Sequence, residues 1–247
     1  MTVSSQEELD GLRIIGRIVA MTREVMRYSI RSGITTKELD DIGEKVLSAF
    51  GAHSAPQIVY NFPGTTCISI NYEAAHGIPG ERIIKAGDIV NIDVSAERDG
   101  YFADTGMTVF VDDGQELPQR LCKSSATALR RGIRKARAGG NLNQIGRAIY
   151  NEARECGFTV IRNLAGHGIG RSLHEEPHNL INYYDKQNRQ LLTNGLVLAI
   201  ESFLSTKAEY VYEDSNKWTL ITPPDNLVAQ FEHTVVVTDN EPIILTG

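Results

Sequence analysis

Apolar and polar residues alternate along this chain with two different periods, and the switches between them outline its elements. From Glu7 to Arg31 the apolar positions Leu9, Leu12, Ile15, Ile18, Val19, Val25 and Met26 follow roughly the 3.6-residue period of an amphipathic helix, which Gly33 ends. Thr35-Thr36-Lys37-Glu38 reads as a capping box and opens a second helix through Leu39, Ile42, Val46 and Leu47 that stops near Gly51. Glu116 to Ala138 repeats the long helical pattern, and Leu142 to Glu155 the shorter one. Gly33 and Gly51 return as Gly139 and Gly157, each 106 positions later. Self-similarity at that spacing predicts a single domain, residues 1–247, built from two halves of one topology, about 1–110 and 111–247, with a site between them.

The period-two stretches lie between these helices. Ile89 to Ala96 and Tyr101 to Phe110 alternate around Asp99-Gly100, a dipeptide suited to a two-residue hairpin turn. With Arg98 opposite Tyr101, counting outward sets Ser95 opposite Asp104 and Asp93 opposite Gly106. Asp93 and Asp104 then share one face as diagonal neighbours, about 5.5 to 8 Å apart at Cβ. A slip of one residue would send them to opposite faces. Leu196 to Ile200 is an apolar strand that ends on Glu201, and Val228 to Val237 is another that carries Glu232 within it. Cys67 to Ile70 reads as a short strand and Phe158 to Leu164 as a further one. Pro56 to Ile70 otherwise looks extended or looped, His76 to Gly80 and Ala165 to Gly170 read as loops, and Tyr210 to Asn226 as an irregular rim excursion.

Two carboxylates converging on a buried face repel each other and resist desolvation, so they call for protons or cations. Taken alone, each acid has an ordinary reading: hairpin aspartates in water, or strand glutamates in structural ion pairs. Asp93, Asp104, Glu201 and Glu232 taken together with His167, set among glycines in Gly166-His167-Gly168-Ile169-Gly170, form an oxygen-rich donor set suited to Mn, Co, Fe or Zn. Four acids exceed the charge of one divalent ion. Two ions about 3.5 to 4 Å apart would balance them and activate a water.

Composition narrows the partners. The chain has 247 residues, 41% of them hydrophobic, which is enough for a proper core. A formal net charge of −6 argues against a phosphate-tracking nucleic-acid binder, and the basic cluster Lys123, Arg130, Arg131, Arg134, Lys135 and Arg137 reads as a solvated helix face. No apolar stretch is long enough to span a membrane and no charged leader precedes one, so a cytoplasmic protein is expected. Cys67, Cys122 and Cys156 are odd in number and scattered, as reduced thiols are. His174-Glu175-Glu176-Pro177-His178 imitates a zinc helix motif, but Pro177 forbids that helix. Gly166, Gly168 and Gly170 likewise lack the spacing of a dinucleotide loop. His53 and His233 sit in no motif and read as structural or exposed.

Several segments in order resemble type I methionine aminopeptidases: Cys67-Ile68-Ser69-Ile70-Asn71, His76-Gly77-Ile78-Pro79, Asn91-Ile92-Asp93-Val94 and Asp99-Gly100-Tyr101. Ala103-Asp104-Thr105-Gly106, Gly166 to Gly170, His174-Glu175-Glu176-Pro177, Ala199-Ile200-Glu201 and Glu232-His233-Thr234 extend the resemblance over nearly the whole chain, to the short bacterial form. It implies an α/β (α+β) pita-bread fold, with a central antiparallel sheet, two pseudo-symmetric halves and flanking helices. It also implies a dinuclear hydrolase that removes the initiator methionine by attack of a metal-bridging hydroxide.

By matching position, Asp93, Asp104, His167, Glu201 and Glu232 are the expected ligands of two divalent ions (Co, Mn, Fe, Zn or Ni), with Asp104 and Glu232 bridging. His76 and His174 are expected near the scissile amide, His174 steadying the oxyanion, and Glu201 accepting a proton from the attacking water. Phe62, Cys67 and Trp218, together with His76 and His174, are the expected substrate pocket. The implied partners are nascent polypeptide N-termini beginning Met-small, with the ribosome exit region as a candidate one, and the expected state is a monomer without membrane or specific nucleic acid. By the same rule Met1-Thr2 should lose its own Met1. Three positions depart from the family pattern: Ser202 and Ala138 stand where proline is usual, and Leu173 where an aromatic is common. The rival readings are a proline-specific peptidase of the same fold, which typically carries an extra N-terminal domain, and a catalytically silent binding protein.

Overall fold

A computed structural model describes residues 1–111 and 114–247. The predicted helices form with the predicted signals. α1 (Gln6–Ser29) starts at Ser5, whose side chain accepts the Glu8 N–H, and α2 (Thr36–Ala49) opens with the reciprocal Thr35–Glu38 box. α4 (Glu116–Ile133) and α5 (Asn143–Glu155) follow the hairpin. α4 ends five residues earlier than the apolar pattern alone suggests, because Ala136 buries itself in a turn and the Ala138 N–H donates to the Thr238 carbonyl.

One helix contradicts the sequence reading. α3 (Ala55–Tyr60) occupies a stretch expected to be extended or looped. Pro56 lies in its first turn, where a missing N–H costs nothing, Ser54 caps the Gln57 N–H, and Asn61 closes it in the left-handed conformation.

The strands are β1 (His53–Ser54), β2 (Cys67–Ile70), β3 (Glu73–Ala75), β4 (Ile89–Arg98), β5 (Tyr101–Phe110), β6 (Thr159–Val160), β7 (Ala165–Gly168), β8 (Glu175–Ile181), β9 (Val197–Ser205), β10 (Tyr212–Glu213), β11 (Leu220–Ile221), β12 (Val228–Val236) and β13 (Ile243–Ile244). All pair antiparallel, in sheets of four (β1, β2, β4, β5), three (β3, β10, β11) and six (β6 to β9, β12, β13) strands. The larger two meet along β5 and β12, where side chains do the joining. Thr234 accepts the Asp104 N–H at 2.8 Å and donates to its carbonyl at 2.7 Å, and Thr108 donates to the Gln230 carbonyl at 2.9 Å.

The hairpin register is the predicted one: Arg98 pairs with Tyr101, Ser95 with Asp104 and Asp93 with Gly106, around Asp99 and Gly100 at φ 53° and 77°. Three strand expectations need correction. Ala165–Gly168 is no loop but a strand between β8 and β9; at Gly168 a Cβ would lie 2.2 Å from the Glu176 carbonyl oxygen, so glycine is what lets the backbones meet. Of Phe158 to Leu164 only Thr159–Val160 pairs as strand. Glu201 stands in the middle of β9, not at its end, because the apolar run continues through Phe203 and Leu204.

Two apolar layers back these sheets. Leu12, Ile15, Val19 and Met26 of α1 bury against Val90, Ile92 and Val94, while Leu129, Ile145 and Ile149 bury against Leu198, Ile200 and Val235. Each such side chain contributes about 1.5 to 3 kcal/mol. The strands are thereby packed from behind, and their other faces carry the polar residues described next. Among the described residues no helix is long and apolar enough to cross a membrane.

Candidate metal centre and substrate pocket

Five strands aim side chains into one cavity of about 390 Å³. β4 and β5 deliver Asp93 and Asp104, β7 delivers His167, and β9 and β12 deliver Glu201 and Glu232, which lie directly opposite each other in the ladder. Phe62, Cys67, His76, His174 and Trp218 line the same cavity, so all ten residues singled out from the sequence converge. Asp104, His167 and Glu232 come closest to a ligand cage: one donor atom from each lies within 4.8 Å of the others. Asp93 and Glu201 flank that trio on the cavity wall.

The electrostatics show what the cage lacks. Asp104, Glu201 and Glu232 are buried, at 7%, 8% and 2% exposure, and among the described residues no lysine or arginine pairs with them or with Asp93. Burial therefore pushes every one of these acids up: Asp104 to about 6, Glu201 to about 8, and Asp93 and Glu232 well above the ordinary carboxylate range, the last two also by repulsion from their neighbours. Asp104 Oδ1 is buried without any hydrogen-bond partner. His167 is driven the other way, to about 3, by burial and by His174, so its imidazole is neutral. Its Nδ1 lies 2.9 Å from the Gly168 carbonyl, which can only accept; the proton is on Nδ1, and Nε2, 4.0 Å from Asp104 Oδ2, keeps a free lone pair. An orphaned carboxylate oxygen, four acids without a cation and a neutral imidazole aimed at them fit divalent metal.

Residues not anticipated from the sequence hold this wall. The Gln230 amide donates to Glu201 at 3.3 Å and to Glu232 at 3.1 Å, and its oxygen accepts from Asn91 at 2.8 Å, which fixes the amide's orientation. It crosses the hairpin directly above Gly106, where any Cβ would lie 2.1 Å from its oxygen. Asn182 donates to the Glu201 carbonyl and accepts the Phe203 N–H, clamping both sides of the glutamate. Gln230 had a signal, being two residues before Glu232 on one strand and so on the same face; Asn182 had none. Ser202, one of the departures from the family pattern, is fully buried: it donates to the Ser125 carbonyl at 3.0 Å, and the Ser125 hydroxyl lies 2.9 Å from its own. Helix α4 is thus fastened to β9 at the residue after Glu201.

At the cavity mouth, His76 stands exposed at φ 54° and His174 packs its ring 4.1 Å from that of His167. The Tyr60 hydroxyl lies 2.6 Å from His174 Nδ1, a contact that the sequence did not suggest. Phe62 meets Trp218 edge-on at 5.2 Å, Leu173 is buried in the wall, and Cys67, with its thiol pushed well up by burial, is the expected inert wall residue. His53 is exposed and His233 bonds Thr246 at 2.9 Å, both away from the cavity.

The pattern that defines metallopeptidase family M24 matches residues 10–239. The chain belongs to this metallopeptidase family. It is 53% identical to "Methionine aminopeptidase 2" of Bacillus subtilis strain 168, over all of this chain and 99% of that protein. Among solved structures, the methionine aminopeptidase of Rickettsia prowazekii superposes with a TM-score of 0.94 at 32% identity, covering 100% of both chains. That of Thermotoga maritima superposes with 0.95 at 30% identity, covering 100% of this chain and 99% of the other. The pita-bread architecture expected from the resemblance is therefore the fold of this M24 chain.

Proposed function

We propose that this M24 chain is a methionyl aminopeptidase that hydrolyses the amide bond after an N-terminal methionine when a small residue follows. The observation that carries the reading is the coincidence, in one cavity, of five ligand-type side chains that no lysine or arginine pairs with among the described residues and an apolar wall of Phe62, Cys67, Leu173 and Trp218. Asp93, Asp104, His167, Glu201 and Glu232 would hold two divalent ions, and such ions would supply water activation and carbonyl polarisation.

The rest of the chemistry is assigned to the chain's own groups. Phe62, Cys67 and Trp218 bind the methionine side chain, leaving its amine and amide toward the carboxylates. With Nδ1 engaged by Tyr60, His174 presents Nε2 to donate to the substrate carbonyl oxygen as negative charge develops there. Glu201, steadied by Gln230 and Asn182, takes up the proton of the attacking water at its carboxylate and can return it to the departing amine. His76, also on the cavity wall, borders the same scissile position. This reading puts the protein in the cytoplasm as a monomer acting on nascent N-termini, with the ribosome exit region as the place of encounter.

The test compares Met-Ala-Ser and Pro-Ala peptides after chelation and readdition of Mn, Co or Fe. Methionine release dependent on added metal, without cleavage of Pro-Ala, is expected; no release with any metal would end the proposal.

A further inference from the structure

Two histidine rings pack together at the cavity mouth, and their Nδ1 atoms meet opposite chemistry. His167 Nδ1 lies 2.9 Å from the Gly168 carbonyl, a group that can only accept, so that nitrogen carries the proton. His174, whose ring centroid is 4.1 Å from that of His167, has its Nδ1 2.6 Å from the Tyr60 hydroxyl. A hydroxyl can give or take a hydrogen bond, and the surroundings decide which it does here. A phenol is a stronger acid than a neutral imidazole N–H, and an imidazole nitrogen is a stronger base than a phenol oxygen. Burial pushes the Tyr60 hydroxyl up, so it keeps its proton, and among the described residues that proton has no other acceptor. The 2.6 Å separation also suits an O–H donor better than an N–H donor, whose contacts usually run from about 2.7 to 3.2 Å. Both partners are held by their own backbones. Tyr60 ends α3, whose cap Ser54 donates to the Thr65 carbonyl at 2.7 Å and which Asn61 closes at φ 59°. His174 precedes Glu175, whose Oε1 accepts the Arg171 and Ser172 N–H groups at 2.6 and 2.7 Å.

We propose that Tyr60 is a positioning residue: by donating to Nδ1 it holds His174 as the Nε2–H tautomer, the opposite of the tautomer that Gly168 imposes on His167. Of two neighbouring neutral imidazoles, one then keeps an Nε2 lone pair facing Asp104, 4.0 Å away, and the other keeps an Nε2 proton to give. The same ring type serves two purposes in one cavity, and what each Nδ1 touches makes the choice. A hydrogen bond into Nδ1 also polarises the ring, which makes Nε2–H a stronger donor to an oxygen that gathers negative charge. Without the hydroxyl, His174 is free to rotate or to take the Nδ1–H form, in which Nε2 would turn a lone pair toward the substrate oxygen. The consequence for rate rests on the methionine-excision reading; the tautomer does not.

Nitrogen NMR of protein carrying isotope-labelled histidine reads the tautomers directly, in the metal-free and in the Zn-loaded protein, at about pH 8 where an ordinary histidine is neutral. His174, assigned by its absence from His174→Gln, should show a protonated Nε2 and a bare Nδ1 in both forms, and His167 the reverse in the metal-free form. A protonated Nδ1 on His174 overturns the proposal. Tyr60→Phe, which keeps the ring, should shift both His174 nitrogens toward a mixture of tautomers; unchanged signals would show that Tyr60 does not set the form. On Met-Ala-Ser with metal, Tyr60→Phe should lower kcat roughly 3 to 10-fold with KM little changed, the worth of one hydrogen bond felt in the transition state. In a His174→Gln background the same substitution should cost nothing more, since no imidazole remains to be positioned. An equal loss there would make Tyr60 a packing residue of the rim and overturn the proposal. An unaltered enzyme that releases no methionine would strike at the proposed activity, and the nitrogen signals would then decide the role of Tyr60 by themselves.

Discussion

The two carboxylate pairs reach the cavity by different routes. Asp93 and Asp104 lie on adjacent strands of one hairpin, closed by a two-residue turn, and are offset by two positions in the ladder. Glu201 and Glu232 come from strands joined through the long Thr206–Leu227 connection, and they face each other at a single ladder rung. Diagonal placement sets the aspartate Cβ atoms about 5.5 to 8 Å apart, with their carboxyl groups still in reach of each other, whereas direct opposition brings the glutamate Cβ atoms to about 4.5 to 5.5 Å. The glutamates accordingly share one amide donor, Gln230, while Asp104 keeps an oxygen with no partner at all. The comparison teaches that the glutamate pair is held ready by protein groups, and the aspartate pair is left for the metal to complete.

The sharpest way to break that contrast is Glu201→Ala. If Glu201 carries the proton as well as a ligand, kcat/KM should fall by about 10³-fold or more with the fold retained by circular dichroism, and near-normal turnover would refute its assignment. Next in size, Asp104→Asn and Asp93→Asn should differ in calorimetric titration with Mn. If Asp104 serves two ions, as the family resemblance implies, Asp104→Asn should cost affinity in both binding steps, by more than the roughly 10 to 100-fold that a lost supporting contact costs, and Asp93→Asn in one only. Identical losses would make the aspartates equivalent.

A third measurement reads all four acids together. In the metal-free protein their raised pKa values mean that the folded state holds protons the unfolded chain has already released, from about pH 4.5 up to the folded value, about 8 for Glu201. Raising the pH strips those protons from the folded state, so stability must fall with rising pH, opposite to the usual acid unfolding. Tm should drop on the order of 5 °C between pH 5.5 and 8.5 without metal and should hold level with it. A flat metal-free profile would mean that the acids are hydrated or paired. The smallest effect belongs to the turn. Gly100→Ala forces an L-residue to φ 77° at an open surface position, costing about 1 kcal/mol, or roughly 2 to 4 °C in Tm, with the Asp93–Asp104 register intact.

The same contrast explains what was legible in the sequence. Asp99-Gly100 admits one turn, so the aspartate register could be counted outward residue by residue. Nothing of the kind joins Glu201 to Glu232, and their opposition could not be counted from any turn. α3 does not show in the sequence because six residues opened by Pro56 are too few to display a helical period, although Ser54 and the first-turn proline are helix-start signals. Ala165–Gly168 reads as a loop because glycines that admit close strands look, in one dimension, like glycines that loosen a loop. The ligand-type residues stood out because acids in apolar runs need a reason. Asn182 and Tyr60 act across distances of 21 and 114 residues, which no local pattern encodes.

The reciprocal hydroxyls of Ser125 and Ser202 bear on how this chain can change over generations. Each hydroxyl also has a carbonyl of its own, Ala229 for Ser125 at 2.9 Å and the Ser125 backbone for Ser202 at 3.0 Å, so replacing either side chain alone leaves the other paired. What couples the two positions is the 2.9 Å contact between the hydroxyls. A lineage that took proline at 202 would give up the bond from that residue to α4 while Ser125 kept the Ala229 carbonyl, so the helix some 77 positions earlier in the chain would still be fastened to β12 behind Glu232.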